Sequence, residues 1–448
     1  MKRSRIIAIL VAGLFSGSVV KAQEVLTLQQ AIKYALENKA EAKKSALELE
    51  NAQYQIDEVR AGALPQVNGA GGLTYNPMLQ KVALPGEIIG MPGETVMVAM
   101  GQKWQSQAAL QVDQQLFNQS LFTGLKAAKT TKEFYQVNKA LSDEQLIEKV
   151  ANSYYEVYQT RLQIETIETN LNNTLKTRNV IKGLVDAGLG KKIDLDRITV
   201  ALNNLEANKQ IVSNALKLQE NALKFAIGMP IDREVKLSKE TFAVNEGSAL
   251  IEPLDLNGRT EVQLFEKQIE LLQLNKQAMR ADYFPRLSFT GNLGYLGMGP
   301  VFPIFSANDG VKWSGFSGLG LNLSIPIFNG GATKSRISQA NIQLKQAEVD
   351  LMDTKLGLQL GNENAKAQIK NSLLTIHTNR ANVTLAKEVL ENTENNYKNG
   401  LATLTELLDA ETAYADAQNN LTTSLLNYKI AEVQLIKANG QLKSLINE

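Results

Sequence analysis

The chain has 448 residues, 47 basic and 46 acidic side chains and no cysteine. No disulfide can staple the fold, so stability has to come from burial and assembly. The near-zero balance carries no broad basic excess of the kind that a nucleic-acid partner requires.

Lys2, Arg3 and Arg5 precede an apolar run from Ile6 to about Val20, and Val20 and Ala22 are small enough for a cleavage site before Gln23. Residues 1–22 read as a secretory signal peptide, and the protein is expected to be exported. Taking Lys2, Arg3, Arg5 and Lys21 from the 47 basic residues leaves 43 against 46 acidic ones.

From residue 23 the chain repeats one order of elements: a helix, a proline, a pair of strands and a very long helical hairpin. Arg60, Pro65, Gly71, Leu73 and Tyr75 meet Arg280, Pro285, Gly291, Leu293 and Tyr295 at a constant offset of 220. Gly188, Leu189 and Gly228 meet Gly400, Leu401 and Gly440 at 212. A register held over so many elements marks an internal duplication. The expected repeats are 23–230 and 261–448, with a connector at 231–260 rich in turn residues.

In each repeat a proline, Pro65 or Pro285, ends the first helix and turns the chain into a strand. Strands are expected at 66–76, 104–117, 286–296 and 313–328. Each alternates in polarity, with Trp104, Ser106, Ala108, Leu110 and Val112 on one face and Gln105, Gln107, Gln111 and Asp113 on the other. Tyr75, Trp104, Tyr295 and Trp313 lie at the strand ends nearest the two long connections, and such residues favour a membrane interface. About ten tilted residues span an outer membrane. Four strands cannot close a barrel around a lumen, and an open edge in lipid leaves backbone groups unpaired. The barrel must therefore be shared between at least two copies. The glycine clusters lie in these strands and do not precede helices, so they are no phosphate loop. His377 stands alone in a helix, and no metal or other cofactor is expected.

Long helical hairpins are expected at 119–228 and 333–440. Their first arms run about 100 Å at roughly 1.5 Å per residue. Leu344, Leu351, Leu358 and Ala365 recur every seven residues, as do Ile369, Ile376, Val383, Leu390 and Tyr397. These are coiled-coil seams, joined by a stutter that straightens the helix. Gly188 and Gly400 mark the hairpin-tip turns.

An exported, duplicated chain with these elements resembles the TolC-like outer-membrane efflux channels. The likeness rests on the strand end Ile325, Pro326, Ile327, Phe328, Asn329, Gly330, Gly331 and on the turn from Tyr397, Lys398, Asn399, Gly400 to Leu407, Leu408, Asp409, Ala410. The resemblance implies an α+β membrane protein. In that family a homotrimer closes a twelve-stranded β-barrel in the lipid bilayer of the outer membrane, continuous with a periplasmic α-helical barrel. It further implies a passive duct that takes substrates from a periplasmic adaptor (membrane fusion protein) and an inner-membrane transporter, with no catalysis. Glu406 and Asp409 fall at the family's periplasmic constriction, where six converging carboxylates would favour cations. Thr403 to Glu406 also spells a capping box, which is an alternative role for the glutamate. Tyr397 and Asp194 match two members of the family's gate network. The family's arginine position is Ala402 here, which leaves Lys191, Lys192 or Arg197 as substitutes, and Tyr397 could equally serve packing alone. Two other readings compete with the duct: a periplasmic adaptor of the same systems, and a structural coiled-coil envelope protein.

Overall fold

The computed structural model describes residues 25–238, 244, 254–303 and 310–446. The signal peptide expected at 1–22 lies outside them, as does part of the connector. The elements in chain order are β1 (Val25–Leu26), α1 (Leu28–Asn38), α2 (Ala40–Ala61), β2 (Gln66–Tyr75), β3 (Lys81–Pro85), β4 (Thr95–Ala99) and β5 (Trp104–Phe117). They continue with α3 (Gln119–Asp186), α4 (Lys192–Ile227), β6 (Lys236–Leu237), α5 (Thr260–Ala281), β7 (Arg286–Gly299), β8 (Lys312–Ser324), α6 (Ala332–Lys398) and α7 (Leu404–Ala438).

The chain forms two compact units. One holds Glu48–Gln136 and Leu264–Leu351. Its sheet has the order β2-β5-β7-β8, antiparallel throughout, and β2 and β8 are its edges, unpaired on their outer sides among the described residues. Its helical part is tied by polar side chains: Lys267 donates to Glu133 at 2.7 Å and to Glu270 at 3.0 Å, and Lys132 donates to Gln53 at 2.8 Å. The bond to Lys267 holds the Glu133 carboxyl below its ordinary range.

Both prolines act where expected. Beyond Ala61, Ala63 and Leu64 donate back to Arg60 and Ala61, and beyond Ala281, Tyr283 and Phe284 donate back to Arg280 and Ala281. The strand then begins at the residue after each proline. The expected strand 313–328 stops at Ser324. Pro326 has no N–H to give a ladder, and Ile327 and Phe328 beyond the strand are exposed. A second hairpin, β3 with β4, lies inside the first strand connection, where no strand is expected from the sequence.

The other unit holds the described residues up to Leu47, Val137–Gln263 and those from Met352 onward. Its main core packs Ile32 and Ala35 of α1, Leu146, Val150 and Tyr154 of α3, Leu223 and Ile227 of α4, and Val433 of α7. The first repeat's leading helix, expected as one piece, is broken at Lys39, whose backbone is extended at φ −67°, ψ 137°. Lys39 is buried; its ammonium donates to the Phe225 carbonyl at 2.7 Å and lies 3.7 Å from the centre of the Phe225 ring. A tertiary contact accompanies the break, and locally the Asn38 side chain donates back to the Tyr34 carbonyl at 3.0 Å. The second core, Ala365, Ile369 and Ile376 with Tyr428, Ala431 and Leu435, follows the heptad seam of α6.

Candidate functional site

The two hairpin tips are built alike. At α3–α4, Gly188 has φ +75° and donates to Val185, and Leu189 donates to Leu184 at 2.8 Å. At α6–α7, Gly400 has φ +72° and donates to Tyr397, and Leu401 donates to Asn396 at 2.8 Å. This pair of bonds satisfies the last carbonyls of the helix, and it needs a left-handed residue, which glycine supplies.

The tips differ in how the return helix starts. Lys191 begins α4 without a side-chain cap. Thr403 begins α7 with a full capping box. Glu406 accepts from the Thr403 N–H at 2.6 Å and from its hydroxyl at 3.0 Å, and the Thr403 oxygen accepts from the Glu406 N–H at 3.3 Å. These bonds favour the ionised carboxylate and lower its pKa. Asp409, three residues on, shares that helix side, and both acids are exposed. Neither has an ion-pair partner among the described residues. Glu406 thus has the capping role, and its charge still faces solvent.

Tyr397 sits half-buried where two small cores meet. Ile181, Ile198 and Leu404 line one side of it, and Leu390, Leu407 and Ala410 the other. Burial raises its phenol pKa, and the negative charge of Asp194 adds to the shift. No hydrogen bond joins Tyr397 to Asp194 in the structure, so packing and field, rather than a bond, relate them. Of Lys191, Lys192 and Arg197, Arg197 reaches across to α7: it donates from α4 to Thr405 Oγ1, in the first turn of α7, at 3.2 Å. A second bridge joins the hairpins at a residue that the sequence does not single out. Thr174 of α3 donates to Glu411 of α7 at 3.0 Å. Burial raises the Glu411 carboxyl, the Thr174 bond partly opposes this, and Glu394 adds repulsion. Glu411 lies four residues beyond buried Leu407 and three before Tyr414, so its place on the packed face of α7 could have been read from periodicity.

The strands form the other candidate surface. Their register puts Val67, Leu73 and Tyr75 on the same face as Trp104, Leu110 and Val112, then Leu287, Leu293 and Tyr295, then Trp313, Leu319, Leu321 and Leu323. The opposite face carries Asn68, Gln107, Gln111, Thr290 and Asn322. On the apolar face Leu319 is 83% exposed and Leu321 67%. All four expected girdle aromatics lie on this face at one end: Tyr75 is the direct partner of Trp104, their rings 4.5 Å apart. Trp313 lies over Gly297, where an added Cβ would come within 2.8 Å of the indole. Among the described residues no helix is long and apolar enough to cross a membrane.

An antiparallel sheet with one exposed apolar face, aromatics at one end and free edges, in a chain of long paired helices, defines an outer-membrane channel protein. The family model described as outer membrane efflux protein matches residues 31–229 and 255–441, and the chain belongs to that family. It is 23% identical over 455 residues to outer membrane protein TolC of Salmonella enteritidis, covering 99% of this chain and 87% of that one. The fold is similar to that of the outer membrane protein VceC from Vibrio cholerae, with TM-score 0.70, 18% identity and coverage of 92% and 96%. The Campylobacter jejuni CmeC outer membrane channel gives TM-score 0.72 at 16% identity, covering 92% and 85%. The protein is an outer-membrane exit duct extending into the periplasm, and its family is one of channels rather than enzymes.

Proposed function

We propose that three copies close one barrel and one helical tunnel, and that substrates handed over by a periplasmic adaptor and an energised inner-membrane transporter leave through it passively. The observation that carries this reading is the sheet: four strands share one exposed apolar face yet leave both edges unpaired. In lipid every backbone group needs a partner, and a closed barrel of several chains supplies it. Each chain on this reading consists of two structural repeats, 23–230 and 261–448.

Glu406 and Asp409 form the periplasmic constriction, three copies placing six carboxylates around one opening. Tyr397, Asp194 and Arg197 hold the α6–α7 hairpin to the α3–α4 hairpin around it. The test is reconstitution. The detergent-extracted protein should run as a heat-resistant oligomer and conduct in planar bilayers with cation preference. A soluble monomer without conductance would favour an adaptor or a scaffold, and would overturn the reading.

A further inference from the structure

The polar face of the sheet is not polar throughout. The strand register lays its side chains out in rows across β2, β5, β7 and β8. One row holds Asn68, Gln111 and Asn292, and a row nearer the girdle end holds Gln107 and Ser314. Between them lies a row of Ala70, Ala109, Gly294 and Phe316. No side chain in that row can hydrogen-bond. Leu296 and then Met298 follow on the same face of β7.

Phe316 is out of phase with its own strand. Alternation puts Gly315 and Ser317 on the apolar face with Trp313 and Leu319, and turns the phenyl ring to the polar side. Its direct partner is Gly294, where an added Cβ would come within 2.6 Å of the ring and 2.7 Å of the Ala108 carbonyl oxygen. The ring therefore lies along the wall, half-buried, with the glycine as its seat. Covering a glycine with an aromatic ring strengthens a sheet, and Trp313 does this over Gly297 on the other face. That role does not account for Ala70 and Ala109, which stand where the rows on either side carry amides or a hydroxyl.

We infer that this row is a contact site inside the barrel for cargo that carries an apolar ring surface. The inference rests on the duct reading above and adds the class of solute that the wall favours. Three copies repeat the row around the lumen. Water against it finds no partner among the side chains, and an apolar solute that displaces this water gains roughly in proportion to the area it covers. The face of the Phe316 ring adds contact with a second ring and attraction for a cation. Because the ring lies along the wall, the site is shallow, and a solute that binds there can leave again, as conduction requires. Hydrated solutes find their hydrogen bonds in the amide rows on either side.

The test is open-channel block in planar bilayers by tetraphenylphosphonium and by tetraethylammonium, which has the same charge and no rings, so that the tip acids act on both alike. The phosphonium should block the unaltered channel at lower concentration. Phe316→Ser should weaken phosphonium block about three- to tenfold, the worth of one aromatic contact, and leave tetraethylammonium block where it was. Phe316→Tyr should keep the phosphonium block. Ala109→Ser adds a hydroxyl to the row while keeping the ring, and should also weaken the phosphonium selectively; it decides the matter if Phe316→Ser yields no heat-resistant oligomer. Equal block of the unaltered channel by the two cations, or phosphonium block unmoved in every variant that conducts, would overturn the contact site and leave the duct reading standing. A matched loss of block by both cations would place the effect in the shape of the pore, which also overturns the contact site. If the unaltered chain forms no conducting oligomer, the duct reading falls and takes the contact site with it.

Discussion

Glu406 and Glu411 stand five residues apart on α7, and their surroundings move their protonation in opposite directions. Bonds from Thr403 lower the first, and burial raises the second. A lowered carboxyl contributes stability above its unfolded value of 4.5, and that contribution is lost as pH falls through the folded value. A raised one is the reverse: its contribution is complete below 4.5 and is lost as pH rises through the folded value. On raising the pH from 4.5 toward neutrality, Glu411 therefore weakens the α3–α7 contact while Glu406 stays ionised. Glu411→Gln keeps an acceptor for Thr174 without the charge. It should raise the thermal stability of the oligomer at neutral pH and flatten its pH dependence in that window; an unchanged profile would show that Glu411 does not govern it. Charge and cap separate at Glu406 in a similar way. Glu406→Gln preserves a capping box without the ionised carboxylate, so reversal potentials in bilayers should shift toward lower cation selectivity while melting falls only slightly. Thr403→Ala should show the opposite pattern, costing about 1 kcal/mol of stability with selectivity retained.

At the scale of elements, what was legible in the sequence was whatever repeats. The heptad seams, the two prolines and the four tip and return glycines fix element type locally, and the helices and the main strands lie within a few residues of their expected limits. What escaped depends on neighbours distant in sequence. Asn38 is only a weak stop signal between α1 and α2, and the extended backbone at Lys39 packs against Phe225 and Gly228, far along the chain. A Cβ on Gly228 would come within 3.0 Å of the Lys39 backbone, while one on Gly400 would meet open space. Both glycines are left-handed, at φ +75° and +72°. Gly400→Ala should therefore cost only the backbone strain, about 1–2 kcal/mol. Gly228→Ala adds the collision and should cost clearly more, as melting temperatures of the two variants would show. Equal losses would mean that the α1–α2 break yields without cost. The β3–β4 hairpin escaped for a different reason: Gly86, Gly90, Pro92 and Gly93 are turn-forming residues packed closely together, and they make the turn between two strands of only five residues each.

At the scale of the molecule, the candidate site divides in the same way. The tip acids and Tyr397 are proposed from resemblance and the girdle aromatics from alternation, whereas the bonds that Arg197 and Glu411 make between helices depend on how the two hairpins pack. The strongest consequence of the whole arrangement concerns the two faces of the sheet, since adjacent residues of one strand are assigned to lipid and to water. Leu321 pairs with Phe289 on the apolar face, and Asn322 pairs with Ser288 on the polar one. An arginine at a lipid-facing position costs about 2–4 kcal/mol near the middle of the bilayer. Leu321→Arg should therefore sharply lower the amount of heat-resistant oligomer recovered from outer membranes. Asn322→Arg, one residue away, should assemble normally and show its effect in conductance, since its charge projects into the pore. A soluble sheet resting on a hidden core would also reject arginine at Leu321, but its Asn322→Arg form would have no current to alter. Normal assembly of Leu321→Arg, or loss of assembly only in Asn322→Arg, would reverse the assignment of the faces and leave the barrel without a lipid-facing wall.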